Sequence, residues 1–259
     1  MTVVEAIESG VPPKPIPKPD VPVFGIINAG PQAKIALLVP TNLNVDIRWA
    51  VGFQQILGQL PPGSTYMMDY RYGLGETREA LVTEALVKIP DLTHIMFLDS
   101  DVITAVPNAV QLLLMDNKPI ISGVYFNSLM TGAAAWKRIK DQNGQEVEAP
   151  IPVVNQAQQL VEVDKIGLGF AIIQKDVFTQ LEEKKARRPW FYYTVDGGER
   201  KMQSEDFYFL DSVRETLGIK PWVDLRVGCG HIKTVIIMQD GSIQIPPHQG
   251  QQPQAGGQK

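Results

Sequence analysis

The sequence predicts an α/β/α sandwich built around a mixed central sheet, in one domain. Three observations predict it. Short apolar runs recur, each closed by a turn or polar residue; segments of helical spacing lie between them; and the second half turns to hairpin-like alternation. Early β/α alternation implies parallel strands joined by helical crossovers. The later hairpin region implies antiparallel additions to the same sheet.

The elements follow in order. Lys34 to Val39 is a buried-strand signal closed by Pro40. Val45 to Leu60 has helical spacing, with Ile47, Val51, Ile56, Leu57 and Leu60 as its expected inner face and Pro61, Pro62 and Gly63 as its stop. Ser64 to Asp69 reads as a second strand. Thr77 to Ile89 reads as a helix with Thr77 as N-cap and Ala80, Leu81, Ala85, Leu86 and Ile89 inward. His94 to Leu98 is a third strand that runs into Asp99, Ser100 and Asp101. Pro107 to Met115 is a helix with proline in its first turn, and Pro119 to Phe126 a fourth strand. Trp136 to Val163 reads as a hairpin region around Asn143-Gly144. Val163 to Ile173 is strand-like but broken by Gly167 and Gly169. Lys175 to Arg187 and Ser204 to Leu217 are helical, the second stopped by Gly218, and Trp222 to Val227 is a late strand.

The ends differ from this core. Residues 1–32 are dense in proline and poor in residues to bury, so a flexible, extended arm is expected. Residues 243–259 are rich in Gln, Gly and Pro, and a disordered tail is expected there. The folded domain is then 33–242. A net charge of −4 gives no general field for nucleic acid or an anionic membrane. No stretch is apolar for long enough to span a bilayer, so a cytoplasmic protein is expected. One cysteine, Cys229, excludes a disulfide scaffold and any multi-cysteine metal site.

Four places carry possible chemistry. Asp99 and Asp101 follow four apolar residues, at the carboxyl end of a strand, where open α/β sheets bind ligands. Two carboxylates there repel unless a proton or a hard cation relieves them. The plainer reading is a solvated turn with Asp101 capping the next helix. Ser204, Glu205 and Asp206 open a helix; they either serve its cap and dipole or supply a general base. His231 follows Gly228, Cys229 and Gly230, which allow close backbone approach; it is structural or a metal ligand. His94, opening a strand, reads as structural. Arg78 stands in the first turn of a helix, where the dipole disfavours it, so it pairs with a phosphate or with the second-strand acid, or lies on the surface. Gly167 and Gly169 let a ligand lie close to backbone. The aromatic run Pro189 to Tyr193, before Asp196, is core, a sugar-stacking face or part of a lid.

The order of these motifs resembles the GT-A superfamily of nucleotide-sugar glycosyltransferases, near the family 2 type. The matching residues are Val39-Pro40-Thr41, Arg78-Glu79, Ile95 to Asp101, Val163 to Phe170 with Lys175 to Phe178, Ser204 to Asp206, and Gly230-His231-Ile232. The resemblance implies a Rossmann-like GT-A sandwich and a metal-dependent transfer from a UDP- or GDP-sugar to an acceptor hydroxyl. It implies that Asp101, with Asp99 directly or through water, and His231 hold Mn2+ or Mg2+. Pro40, Thr41, Asp69, Arg78, Asp99, Ser100, Gly167 and Gly169 would border the donor. Asp206, with Glu205 beside it, would be the base of an inverting displacement, although retaining relatives also place a late histidine on the metal. Two alternatives stay open: a haloacid-dehalogenase-like phosphatase using Asp99 and Asp101, and a non-catalytic nucleotide-sugar binding module.

Overall fold

The computed structural model describes residues 33–41, 45–71, 73–126, 132–152, 159–195, 202–232, 236–237 and 243–244. The expected arm at 1–32, the tail from 245 onward and the Asp196 turn lie outside the described residues.

The main sheet has eight strands. Its parallel part is β1 (Ile35–Pro40), β2 (Thr65–Asp69) and β3 (His94–Leu98), in the order β2-β1-β3. Helix α1 (Ile47–Leu57) joins β1 to β2, and α2 (Leu74–Lys88) joins β2 to β3. Such parallel neighbours need a crossover, which both helices supply. After β3 come a short strand β4 (Val102–Thr104), helix α3 (Ala109–Met115) and β5 (Ile120–Val124). The hairpin β6 (Ala135–Lys140) and β7 (Glu146–Pro150) turns at Gly144, whose φ of +77° suits glycine. Then follow β8 (Leu160–Glu162), β9 (Lys165–Ile166), β10 (Phe170–Gln174) and α4 (Lys175–Glu183). The pair β11 (Thr194–Val195) and β12 (Met202–Gln203) precedes α5 (Glu205–Leu217) and the long β13 (Trp222–His231). Ile236–Ile237 (β14) pairs antiparallel with Ile243–Gln244 (β15), at the start of the expected tail.

The second half completes the sheet. β10 inserts antiparallel between β3 and β5, and β13 runs parallel to β5. β8 and β4 both pair antiparallel with β13. β9 extends the hairpin into a three-stranded sheet, β7-β6-β9.

Alternation along each strand feeds two cores. Ala36, Leu38, Ile95 and Phe97 face one side with Leu81, Val82, Phe178 and Phe209 of α2, α4 and α5. Ile35, Leu37, Val39, Met96 and Leu98 face the other with Trp49, Phe53, Ile56, Val110 and Leu113 of α1 and α3. Both faces of the sheet are therefore covered, which makes the expected α/β/α sandwich.

Several local expectations are corrected. In α1 the inner face is Trp49, Gly52, Phe53 and Ile56, whereas Ile47 is 76% exposed and Val51 55%. The aromatics Trp49 and Phe53 stack at 5.0 Å and set the rotation of the helix, overriding the aliphatic pattern. α2 begins at Leu74 after Gly73, so Thr77 is no cap; it lies inside the first turn and donates its hydroxyl to the Gly73 carbonyl. α3 begins at Ala109 rather than Pro107. β4 was not foreseen, and β13 continues four residues beyond Val227 because β4 gives it a partner. His94 is structural as expected: its Nδ1 meets Thr93 Oγ1 at 2.8 Å.

Burial sets an expected difference in stability. Leu38→Ala, fully buried, destabilises by about 2–5 kcal/mol, whereas Ile47→Ala stays within about 0.5 kcal/mol. Chemical denaturation of both variants checks this; equal losses would contradict the assigned face of α1.

Candidate active site

β2 lies on one side of β1 and β3 on the other, so the chain direction across the sheet reverses between β1 and β3. Open α/β sheets bind ligands at the carboxyl ends of strands beside such a reversal. That edge carries Pro40 at the end of β1 and Thr41 after it, Asp69 at the end of β2, and Asp99 after β3. Pro40 and Asp69 are register partners, and the Thr41 amide donates to the Asp69 carbonyl at 3.0 Å. Asp69 accepts from the Tyr70 amide and from Arg71 Nε, both at 2.8 Å. It does not meet Arg78.

Arg78 goes inward instead. Its side chain is buried, and Nη2 donates to both oxygens of Asp99 at 2.8 and 3.0 Å. Nε reaches Glu205 Oε1 at 3.3 Å, and the cation stands 4.8 Å from the Phe97 ring centre. Burial works against its charge, but Asp99, Glu205 and Asp206 outweigh burial and hold it protonated. Nη1 has no partner among the described residues. The surface reading of Arg78 is thus excluded: its guanidinium is held in a carboxylate clamp.

The carboxylates feel the same enclosure. Burial, with Asp101 and Asp206 nearby, pushes the Asp99 carboxyl up to about 6 against the pull of Arg78. Glu205 is 2% exposed. Burial and the adjacent Asp206 raise it to about 7, while Arg78 and a hydrogen bond from Tyr193 oppose the rise. One buried guanidinium thus faces three carboxylates, Asp99, Glu205 and Asp206, with Asp101 close by. Such an excess of negative charge favours a proton or a cation.

The turn after β3 fixes the second aspartate. The Val102 amide closes on the Asp99 carbonyl at 3.1 Å, and Trp49 Nε1 holds the same carbonyl at 2.8 Å. Ser100 sits half-buried in this turn. β4 then pairs with β13 so that His231 lies opposite Val102, one residue past Asp101. His231 Nε2 is 2.9 Å from Asp101 Oδ2, and its Nδ1 is 3.0 Å from the Phe126 carbonyl. A carbonyl only accepts, so Nδ1 carries a hydrogen, and Nε2 faces a carboxylate. Asp99, turned to Arg78, does not join them: among the described residues no three His, Cys, Asp or Glu side chains are arranged to hold a metal.

Asp206 enters from the first turn of α5, where the helix dipole favours an acid. Its Oδ2 accepts the Leu168 amide at 3.2 Å. Gly167 and Gly169 flank that amide, and the space beside each is taken by protein atoms. A Cβ at Gly167 would lie 2.3 Å from the Tyr125 hydroxyl; one at Gly169 would lie 2.9 Å from it and 3.0 Å from Asp99 Oδ2. These glycines make room for Tyr125 and Asp99. The aromatic run also resolves: Trp190 and Phe191 are core, held to Glu79 through their amides, while Tyr193 reaches Glu205. Tyr125 and Trp49 were missed by sequence reasoning. The one available signal was a polar-tipped tyrosine ending an apolar strand.

Two clefts lie away from this cluster. One of about 700 Å3 runs along α2 past Arg71, Glu79 and Tyr192; one of about 220 Å3 lies between Tyr192 and Tyr208. Neither is lined by Asp99, Asp101, Asp206 or His231, so the chemistry is placed by the charged cluster and the sheet edge rather than by cavity size.

Comparison with known proteins bears on the fold. The solved structure of A197 from STIV matches with a TM-score of 0.54 at 16% identity, over 82% of this chain and 93% of that one. The fold that the two share is an α/β/α sandwich around a mixed sheet. GalNAc-T7 with UDP, GalNAc and Mn2+ matches at 0.49 and 11% identity, over 79% of this chain and 44% of that one. A glycosyltransferase involved in glycosylation of the major capsid of PBCV-1 matches at 0.34 and 14%, over 61% and 68%. No family model matches the sequence, and no curated protein matches it. Among the described residues, no helix is long and apolar enough to cross a membrane.

The raised Glu205 carboxyl gives a stability signature. Between its ordinary 4.5 and about 7 the folded chain holds a proton that the unfolded chain has lost. Stability contributed by Glu205 is therefore full below that window and falls as pH rises through it. Glu205→Gln flattens the fall between pH 5 and 7, read as a smaller change in unfolding midpoint with pH; an unchanged slope would contradict the assignment.

Proposed function

We propose that this chain is a metal-dependent glycosyltransferase that moves a sugar from a nucleoside-diphosphate sugar to an acceptor hydroxyl, with inversion. The observation that carries this reading is that Asp99, at the carboxyl end of β3, feels both Asp206 and Asp101, the latter paired with His231. A carboxylate–histidine pair and a second carboxylate around one strand end suit a reaction that needs a cation and a base.

Asp101 and His231 would hold Mn2+ or Mg2+. The donor set fits: Nδ1 is committed to Phe126, leaving Nε2 and a carboxylate oxygen to converge, and an outer hydrogen bond orients the ring. When bound, the ion supplies Lewis-acid stabilisation to the departing diphosphate. Asp99 contributes from behind, as a charge held by Arg78. Thr41, Pro40 and Asp69 border the nucleoside end of the donor, and a UDP- or GDP-sugar is the donor class proposed. Ser100 lies at the diphosphate side.

Asp206 takes the proton of the acceptor hydroxyl as that oxygen attacks. One of its oxygens is oriented by the Leu168 amide, and the other is assigned to the acceptor. Glu205 is enclosed by Arg78 and Tyr193, so it supports Asp206 rather than replacing it. The clamp on Asp99 counts against a phosphatase, because both oxygens of the would-be nucleophile accept from Arg78.

Thermal unfolding with UDP-, GDP-, CMP- and dTDP-sugars, each with and without Mn2+, tests the reading. A metal-dependent rise with one nucleotide family is expected, since a ligand of the folded state stabilises by mass action. Asp101→Ala removes that rise. Asp206→Asn keeps it and lowers transfer by about 100-fold or more. Turnover unchanged in Asp206→Asn would refute the base. Tight donor binding without transfer or hydrolysis would favour the binding module, and phosphate release without any nucleotide-sugar effect would favour the phosphatase.

A further inference from the structure

We propose that Tyr125 is a positioning residue that locks the proposed base and the proposed cation site into one geometry, through the turn at Gly167–Gly169. The proposal rests on the reading of Asp206 as base and of Asp101 with His231 as the cation pair.

The turn is a junction. Its three successive amides leave in three directions: Gly167 to the Ala134 carbonyl at 2.8 Å, Leu168 to Asp206 Oδ2 at 3.2 Å, and Gly169 to the Tyr125 hydroxyl at 3.0 Å. The Gly169 carbonyl accepts the Asp99 amide at 2.9 Å. A shift of this short turn therefore moves the donor that orients Asp206 and the residue that opens the Asp99 turn.

Tyr125 fixes the turn from beneath. It is 7% exposed and directly follows β5. Its own carbonyl accepts the Ala134 amide at 2.7 Å, so its backbone and the Gly167 amide use the same residue as anchor. Its hydroxyl occupies the space that a side chain at Gly167 or Gly169 would need. The fit is close enough that no methyl can be added at either position without displacing the phenol or the turn.

The same ring touches the cation side. Tyr125 meets the His231 imidazole edge to face, with centroids 5.5 Å apart and planes at 83°. The next residue, Phe126, supplies the carbonyl that takes His231 Nδ1–H. One residue pair thus sets the direction of His231, while the phenol tip sets the turn that carries the Leu168 amide. The hydroxyl touches neither Asp206 nor His231 by a hydrogen bond, so its effect on both is through position.

The test uses the full chain with Tyr125→Phe, Gly167→Ala and the double variant. Tyr125→Phe keeps the ring and removes the hydroxyl; Gly167→Ala pushes on the hydroxyl from the other side. NMR of the Leu168 amide and of the His231 ring signals reports the coupling without any ligand. Both sets of signals are expected to move in each single variant. With the donor found by thermal screening, Tyr125→Phe is expected to lower kcat about tenfold with donor KM within about twofold. The double variant is expected to lose no more than the worse single one, because the added methyl meets the space the hydroxyl left. Unmoved Leu168 and His231 signals with unchanged kcat would overturn the proposal, as would fully additive losses. If Tyr125→Phe fails to fold, Gly167→Ala alone reads the same signals. A wild-type chain that turns over no nucleotide-sugar would refute the glycosyltransferase reading, while the NMR signals would still decide the role of Tyr125.

Discussion

A guanidinium has been taken out of water at Arg78, and much of the site follows from how its charge is met. An uncompensated buried cation is costly, and breaking a buried pair removes about 3–5 kcal/mol. Asp99 from β3 and Glu205 from α5 answer it, so residues 127 positions apart are drawn to one point. Their approach needs a residue without a side chain where α2 starts: a Cβ at Gly75 would lie 2.9 Å from the Phe191 carbonyl and 3.2 Å from Glu205 Cβ. With Asp99 committed inward, Asp101 is the carboxylate left to face His231. The clamp therefore divides the labour between two aspartates that the sequence presents as equals.

The excess of acid over base around that clamp has a second effect. Burial raises the Glu205 and Asp99 carboxyls to about 7 and about 6, while Asp206 sits at a helix start. Neighbouring carboxylates with different surroundings can take different roles, and here the difference is set by burial and by one amide, that of Leu168. A second charged network stays apart from this. Lys165, 6% exposed, joins Glu148 and Asp211 at 2.7 and 3.2 Å and ties the β6–β7 hairpin to α5.

The architecture was largely legible in the sequence because it rests on period. β1, β3, β5 and β10 announce themselves as apolar runs, and Gly144 and Gly218, at φ of +77° and +70°, mark a hairpin and a helix end. Position on the sheet edge was legible too, since Asp99 and Asp101 follow an apolar strand. What failed depended on partners far away in sequence. β4 is only three residues and exists because β13 passes beside it. The face of α1 was misread because two aromatic rings outweigh the aliphatic spacing. Beside Gly167 and Gly169 a tyrosine about 40 residues earlier takes the space a side chain would need, and no local pattern announces that. Asp99 likewise could not be separated from Asp101 without knowing where Arg78 points.

The pairing of β4 with β13 also has a meaning in time. Asp101 and His231 are 130 residues apart, and the Arg78–Glu205 contact spans nearly as much chain. Contacts of such separation form late, since the loop between them must be closed first. On the ribosome the strands β1 to β3 emerge and can pair long before α5 and β13 are made. Through that interval Arg78 has Asp99 but not Glu205, and Asp101 has no histidine. The nascent chain can thus hold part of its sheet while the Arg78 clamp and the Asp101–His231 pair are incomplete, and both close only once α5 and β13 are made.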